Sequence, residues 1–315
     1  FETLKVIKGN FGRSKSGVWI RNGMLIVQFA IASFFIIGSY IVYQQVNYLA
    51  NKDLGFVPTR IISVYWDKQN VDFSNENYSK IIFNNYTRLT SELNKIKGVQ
   101  GVSTGTFRFG GGNDSSSSFS YKSQSIQAQN LGIDFNMLDM MQIKIKEGRN
   151  ISANFASDTI SAVLINETAL RMMNEKNPIG KVIDWNSEKL KIIGIVKDFN
   201  LFSPQSKVPP MVFFHLKTID WLIGNINDIY IKIDTENSDQ TLADIEKVWK
   251  KNVESEFPFE YEFLDKSFAR TYESYVKQKN LFSLLNVVVI LIAIFGLFSL
   301  ASFSVIPTHA ISGSV

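Results

Sequence analysis

The sequence predicts an α+β domain of two lobes, built of mixed sheets with helices. It stands outside a membrane, flanked by two transmembrane α-helices that extend into a stalk. Three observations carry this. Gly23 to Tyr43 holds no charged residue, and at the rise of an α-helix it reaches roughly 30 Å, the thickness of a hydrocarbon core. Leu281 to Ile306 is a second uncharged stretch of spanning length. Between them lie about 235 residues, enough to bury a core, in which strand-like and helix-like periodicities alternate.

Residues 1–22 read as a cytoplasmic basic lead. Lys5, Lys8, Arg13, Lys15 and Arg21 face only Glu2, which places this tail inside and everything from about Gln44 to Lys279 outside. Leu4, Val6, Ile7 and Phe11, with Trp19 near the headgroups, fit a helix lying on the inner leaflet; a disordered basic tail fits equally. The first span, 23–43, carries Ala32, Ser33, Gly38 and Ser39, small residues suited to close helix packing. A buried soluble helix of this length would carry a polar face. A secretory leader would be shorter and followed by a cleavage site. Val42, Val46 and Leu49 continue at helical spacing to about residue 52, until Gly55 and Pro58 end the helix.

The outside domain is expected over 53–264. Ile61 to Trp66 reads as a strand. Ser74 starts a helix with Tyr78, Ile81, Ile82, Leu89, Leu93 and Ile96 on one face, closed by Gly98. Val99 to Phe109 follows as a strand, then Gly110 to Ser118 as a solvated loop. Ser125 to Ile133 and Met140 to Lys146 are strands around a turn at Phe135 to Asp139. Ile160 to Ile165 is a buried strand, Asn166 caps a helix from Glu167 to Met173, and Asn177-Pro178 breaks out of it. Lys181 to Trp185 and Lys189 to Asp198 form a hairpin about Asn186-Ser187. Met211 to Leu216 is a strand after Pro209-Pro210. Asp228 to Asp234 alternates like a half-buried strand. Gln240 to Asn252 is a helix with Leu242, Ile245, Val248 and Trp249 inward. Phe257, Phe259, Tyr261 and Phe263 share one strand face. Asp265 then caps a stalk helix, 265–280, carrying Phe268, Tyr272 and Tyr275. No Gly or Pro separates it from the second span, 281–306, so one helix of about 60 Å is expected from near Lys266. A proline at Tyr272 would then cost roughly 3 kcal/mol. Asn286, the one strongly polar residue of the second span, should face another helix.

Composition excludes several functions. The net charge of +4 comes largely from the basic lead, and no basic stripe interleaved with aromatics suggests nucleic acid. There is no cysteine, so the domain must be held by packing without disulfides. Of the two histidines, His215 sits on an apolar strand and reads as structural, and His309 lies near the end. No zincin, nucleophile-elbow, EF-hand or P-loop pattern occurs, and Asp234, Glu236 and Asp239 read as a solvated turn. Catalytic, metal and cofactor residues are therefore expected to be absent.

From Ile165 to Phe214 the chain resembles the periplasmic core domain of MacB-type, FtsX-like ABC transporter permeases. The matching positions are Asn166, Glu167, Thr168 and Ala169; Asn177, Pro178, Gly180 and Lys181; Gly194, Val196, Asp198 and Phe199; and Pro209 with Pro210. Asn51 to Phe56, with Asp53, Gly55 and Phe56, resembles the family's element after its first helix. Gly148-Arg149 and the FGLFSLASF stretch match as well. The resemblance covers about Asn22 to Phe303. It implies the second half of an eight-span permease of the bacterial inner membrane, spans five and six, with its large domain in the periplasm. It also implies a separate ABC ATPase subunit that binds ATP and Mg, and further permease spans or a second permease subunit. Periplasmic or outer-membrane proteins are partners of similar systems. Such permeases carry ATP-driven motion to the periplasmic domain through a helical stalk. Residues 307–315, expected in the cytoplasm, depart from the family's basic segment and are expected to be cut short or altered. A two-span envelope sensor or scaffold is the competing reading, separated by whether an ATPase co-purifies. A membrane-anchored enzyme would need an acid, base or metal cluster that the motifs do not supply.

Overall fold

The computed structural model describes residues 15–305 apart from 69–70, 112–114, 235 and 254–257. It divides into two compact units, one formed by the chain up to Asn51 and from Tyr272 on, the other by Lys52–Thr271. The expected inner-leaflet stretch from Leu4 to Phe11, Phe257 and the end from Ile306 lie outside the described residues.

The first unit is a pair of packed helices, α1 (Lys15–Asn51) and the last helix of the chain (Glu273–Val305). Both are long and apolar enough to cross a membrane. Along α1 the less exposed positions include Leu25, Gln28, Ala32, Phe35, Ser39, Val42, Val46 and Leu49. Their steps alternate three and four, as do those of Lys279, Phe282, Asn286, Val289, Ala293 and Gly296 on the partner helix. That repeat averages 3.5 residues and defines a coiled-coil-like seam. Gln28 donates across it to the Ile292 carbonyl, and Gly296 leaves the room: a Cβ there would lie 2.6 Å from Gln28 Oε1. Asn286 falls on the seam, as its polarity demands in lipid.

The second unit holds an 11-stranded sheet. Strands β1 (Ile61–Tyr65), β2 (Val99–Gly105), β10 (Asp228–Ile233) and β11 (Tyr261–Phe263) lie in the order β11-β1-β10-β2, all neighbours antiparallel. Helix α2 (Tyr78–Leu93) joins β1 to β2, and helix α5 (Ser238–Asn252) joins β10 to β11. This is a split βαβ lobe. Ile62, Val64, Val102, Ile229 and Ile231 alternate onto the face covered by Ile82, Leu89, Ile245 and Trp249.

Everything between β2 and β10 is inserted into that lobe. Strands β3 (Ser116–Tyr121), β4 (Gln124–Ile133), β6 (Ala162–Asn166), β7 (Val182–Trp185), β8 (Glu188–Val196) and β9 (Met211–His215) pair round in the order β4-β3-β7-β8-β6-β9 and back to β4. The ring is closed, so it exposes few strand edges. Phe119, Ile126, Val163, Ile165, Trp185, Ile192 and Phe214 fill it. Short β5 (Ile145–Gly148) pairs with β8. Helices α3 (Met137–Met140) and α4 (Glu167–Met173) follow β4 and β6. The lobes meet through one strand pair, Gly105↔Ile133, and through a shared apolar cluster around Phe56, Phe109, Phe199 and Phe268.

Several expectations need correction. Helix α2 starts at Tyr78 rather than Ser74, because Asp72 and Asn75 take the Ser74 and Asn77 amides into local turns. Ile81 is exposed and off its apolar face. Strand β2 stops at Gly105, short of Phe109. Ser116 to Ser118 are not loop but strand: their hydroxyls bond to Gln127 and Asn130 across β4. Met140 ends a helix, so β5 begins only at Ile145. Strand β10 is buried almost throughout, since it is paired on both sides and covered on both faces.

The run expected from near Lys266 is helical from Leu264 through Val305 but not α-helical throughout. Helix α6 (Leu264–Ala269) and helix α7 (Glu273–Val305) are separated by a 3₁₀ turn at Arg270–Tyr272. The Thr271 carbonyl accepts from Gln205 Nε2 at 2.9 Å, and a side chain that takes a helix carbonyl favours such a local departure from α geometry. Phe268 therefore belongs to the head's core at 2 % exposure, not to a stalk. Tyr272 is the last residue of that 3₁₀ turn, with helix on both sides of it.

Asp134 and His215 sit near one another at the junction of the lobes. Asp134 accepts from Tyr86 and Ser103 hydroxyls at 2.5 and 2.6 Å and from the Asn136 and Met137 amides. Burial nevertheless lifts its pKa from 3.8 to about 6. His215 stacks on Phe135 at 4.2 Å, and burial, with Lys217 adding, lowers its pKa from 6.5 to about 4. Linkage gives opposite signs. Asp134 contributes stability below pH 3.8 that is lost as pH rises through 6. His215 contributes stability above 6.5 that is lost as pH falls through 4. On acidification from pH 7 to 4.5, His215→Asn should lose less melting temperature than wild type, and Asp134→Asn should lose more. Parallel melting curves for all three would contradict this.

Candidate functional site

Helix α4 is the starting point, because its first turn holds both ends of one loop. Asn166 caps it, its Oδ1 accepting from Ala169 N at 2.9 Å. The same oxygen accepts from Met211 N at 2.9 Å, and Asn166 Nδ2 donates to the Pro209 carbonyl at 2.8 Å. That fixes the far end of the segment 198–210. At its near end Asp198 accepts from Thr168 N at 3.0 Å, Thr168 Oγ1 at 2.8 Å and Arg171 at 2.9 Å. A carboxylate at a helix N-terminus is favoured both by orphan amides and by the helix dipole. Glu167 accepts from Asp198 N and pairs with Lys146 at 2.6 Å, and the Lys146 hydrogen bond holds its pKa below the usual carboxylate range. Pro210 completes the anchorage by accepting from Gln129 N.

The loop so held grips the places where the chain enters and leaves the head. Lys52 donates to Asn200 Oδ1 at 3.2 Å and to the Pro204 carbonyl at 2.5 Å. Asn200 N donates to the Leu54 carbonyl at 2.7 Å. Asp53 accepts from Gly55 N at 2.9 Å in a tight turn. Gly55 has φ +79°, and a Cβ there would sit 2.8 Å from Phe199 Cβ and 2.9 Å from the Asp198 carbonyl. Phe56 then enters an aromatic cluster, 4.6 Å from Phe109, 5.2 Å from Phe268 and 6.3 Å from Phe199 between ring centres. On the leaving side Gln205 holds the Thr271 carbonyl. Thus Phe56 and Phe268 touch directly, and one loop bonds to both Lys52 and Thr271.

Other predicted residues lie elsewhere. Gly148, Arg149 and Gly194 form a second cluster, in which Gly148 pairs with Gly194 and Arg149 makes a two-pronged ion pair with fully buried Asp158 at 2.5 and 2.8 Å. Asn177, Pro178 and Gly180 shape the lead into β7 by local bonds, Lys181 N to Pro178 O and Gly180 N to Ile192 O, and do not reach the loop. Val42, Val46 and Leu49 are on the seam of α1; Tyr272 and Tyr275 flank the start of α7. Reading the sequence missed Asn200, Gln205 and Phe109. None carries a local pattern, since each acts through partners distant in sequence. Among the described residues no group of three or more His, Asp or Glu could hold a metal ion.

The clamp makes a further expectation concrete. Asp198→Asn keeps the shape but turns one acceptor into a donor facing Thr168 N or Arg171. The cost should be about 1.5–3 kcal/mol, since the bonds are charge-assisted. It should appear as a lower urea midpoint with an unchanged slope. A midpoint equal to wild type would show that the anchorage is not needed.

The model of the MacB-like periplasmic core domain matches residues 23–248. The macrolide export ATP-binding/permease protein MacB of Aggregatibacter actinomycetemcomitans is 28% identical over 88 residues, covering 24% of this chain and 14% of that protein. The chain thus matches a small part of that relative's length. Among solved structures, the periplasmic region of MacB from Actinobacillus actinomycetemcomitans is 19% identical with a TM-score of 0.48, covering 71% of this chain and 97% of that one. The extracellular domain of the ABC-type transporter YknZ from Gram-positive bacteria is 14% identical with a TM-score of 0.43, covering 64% and 99%. The family model takes in both the first helix and most of the head, and with it the chain belongs to the MacB/FtsX-like permeases that carry a MacB-like periplasmic core domain.

Proposed function

We propose that this chain is a permease subunit, or part of one, of a MacB/FtsX-like ABC transporter. It converts ATP hydrolysis by a partner subunit into motion of its periplasmic head by mechanotransmission. It has no catalytic residue of its own; the partner binds ATP and Mg. Further permease spans, a second permease subunit and periplasmic or outer-membrane proteins complete the machine in the bacterial inner membrane.

The observation that supports this reading is the clamp within the head. A head that is only displayed needs one tether. A head that is moved needs its entering and leaving segments tied, so that force on either is carried into the fold. Lys52 and Thr271, 219 positions apart in sequence, are bonded to one short loop. That loop is anchored at both ends on α4.

The test is to isolate the chain from its native membrane and identify what comes with it. An ATPase bearing a Walker motif is expected; its absence under mild conditions would favour the sensor or scaffold. With the complex in hand, Lys279→Pro is informative. It lies inside α7, where proline costs about 3 kcal/mol or more. It should leave ATP hydrolysis measurable and abolish ATP-dependent distance changes between labels on the head. Unchanged distance changes would refute transmission through α7.

A further inference from the structure

The closed ring of strands carries a groove that the clamp does not use. It has a volume of about 440 Å3 and lies where the β7–β8 hairpin tip meets the segment after β9. Its most exposed ring is Trp221, at 47 % exposure in a 3₁₀ turn over Asp220–Asn225. Beneath it lies Trp185, 2 % exposed, with the two indole planes 17° apart and their centres at 6.3 Å. Trp185 cannot tilt, because its Nε1 donates to Asn130 Oδ1 at 3.0 Å and its ring packs on Phe214. The outer indole is thus set as a flat platform on a fixed one.

Polar groups ring that platform. Asn186 and Glu188 come from the hairpin tip, where Asn186 and Ser187 take positive φ in the two-residue turn. Asp220 comes from the other side.

We propose that this groove binds a neutral or amino pyranose, such as one unit or two of a glycan chain. A sugar ring offers an apolar face of C–H groups to an indole and a rim of hydroxyls to carboxylate, amide and hydroxyl side chains. That is the combination present: one flat aromatic surface with convergent short polar groups. Neither half suffices alone. A purely apolar partner would make no use of Glu188 and Asp220, and a small ion would gain nothing from the indole. Acidic sugars are disfavoured by the two carboxylates. Lys217, which also lines the groove, is drawn over the Phe83 ring at 4.2 Å. The volume suits a disaccharide. The assignment stands independently of the transport reading, since it concerns a face of the ring and not the clamp.

The full chain in lipid nanodiscs, free of glycoside detergents, carries five tryptophans and would give a resolvable fluorine spectrum after 5-fluorotryptophan labelling. Trp221→Phe assigns the signal. Cellobiose and N,N′-diacetylchitobiose should shift Trp221 and Trp185 but not the other three, with half-saturation at about 1 mM. Digalacturonate should not. Trp221→Ala should weaken binding about tenfold while the far-ultraviolet dichroism stays as in wild type. No shift with either neutral sugar would overturn the proposal. So would an equal response to digalacturonate, or unaltered affinity in Trp221→Ala.

Discussion

Gly194→Val is expected to abolish folding of the head, or to leave so little stability that folded protein is recovered only at low temperature. A Cβ at this position would lie 2.3 Å from the Arg149 carbonyl oxygen and 3.0 Å from Leu164 Cδ2. The first of these is backbone and cannot turn aside. Nor can the strand carrying it withdraw. Arg149 N donates to the Ile193 carbonyl at 3.0 Å, and the Arg149 guanidinium is locked onto Asp158, which is fully buried. Separating β5 from β8 would break the Arg149 N bond, and a wider shift would leave a buried carboxylate unpaired, a loss of about 3–5 kcal/mol by itself. The expected cost exceeds about 4 kcal/mol, most of a typical domain's stability. Gly180→Ala is the control. There a Cβ meets only Lys191 Cε at 3.9 Å, so the price is that of φ +85° alone, about 1–3 kcal/mol. The two variants should differ in yield of folded protein and in urea midpoint. A Gly194→Val head as stable as the Gly180→Ala one would show that β5 and β8 do not approach as closely as described.

That comparison shows what the sequence could and could not carry. Periodicity placed the two apolar helices, most strands and the α5 face, because burial imposes its repeat on consecutive residues. The Asn186-Ser187 turn and the Asn166 cap were legible for the same reason: each is completed within four residues. The closed ring was not, since the parallel β4–β9 pairing joins Gln129 to Met211 across the whole insertion. The split βαβ lobe was hidden likewise, with its second and third strands separated by that insertion. The motif residues were found by resemblance, yet their roles came only from coordinates. Asn166 and Asp198 read as a cap and a strand end. Nothing local says that they hold opposite ends of one loop. Gln205 is the clearest case: a polar residue in a loop sequence, it meets Thr271 where the helix passes through a 3₁₀ turn.

Phe56→Ala should be the most informative change for function. Its ring is 5 % exposed and lies within 5.2 Å of the centres of Phe109 and Phe268. Truncating it leaves a cavity where three segments meet, which costs about 3–5 kcal/mol, with up to about 1.5 kcal/mol more per lost aromatic pair. Phe56→Leu refills most of the volume and should recover more than half of that. The position matters more than the size of the loss. Phe56 follows Lys52 by four residues and Phe268 precedes Thr271 by three, so this contact ties the entering segment to the leaving one. If the head is driven through its ends, loosening the tie should uncouple it before it unfolds it. At a temperature where Phe56→Ala remains folded by near-ultraviolet dichroism, the assembled transporter should hydrolyse ATP at its normal rate and show little ATP-dependent movement of the head. Phe56→Leu should move nearly as wild type does. Should Phe56→Ala lose stability yet move its head fully, the aromatic tie would be a feature of folding alone, and force would have to pass through the Lys52 and Gln205 bonds instead.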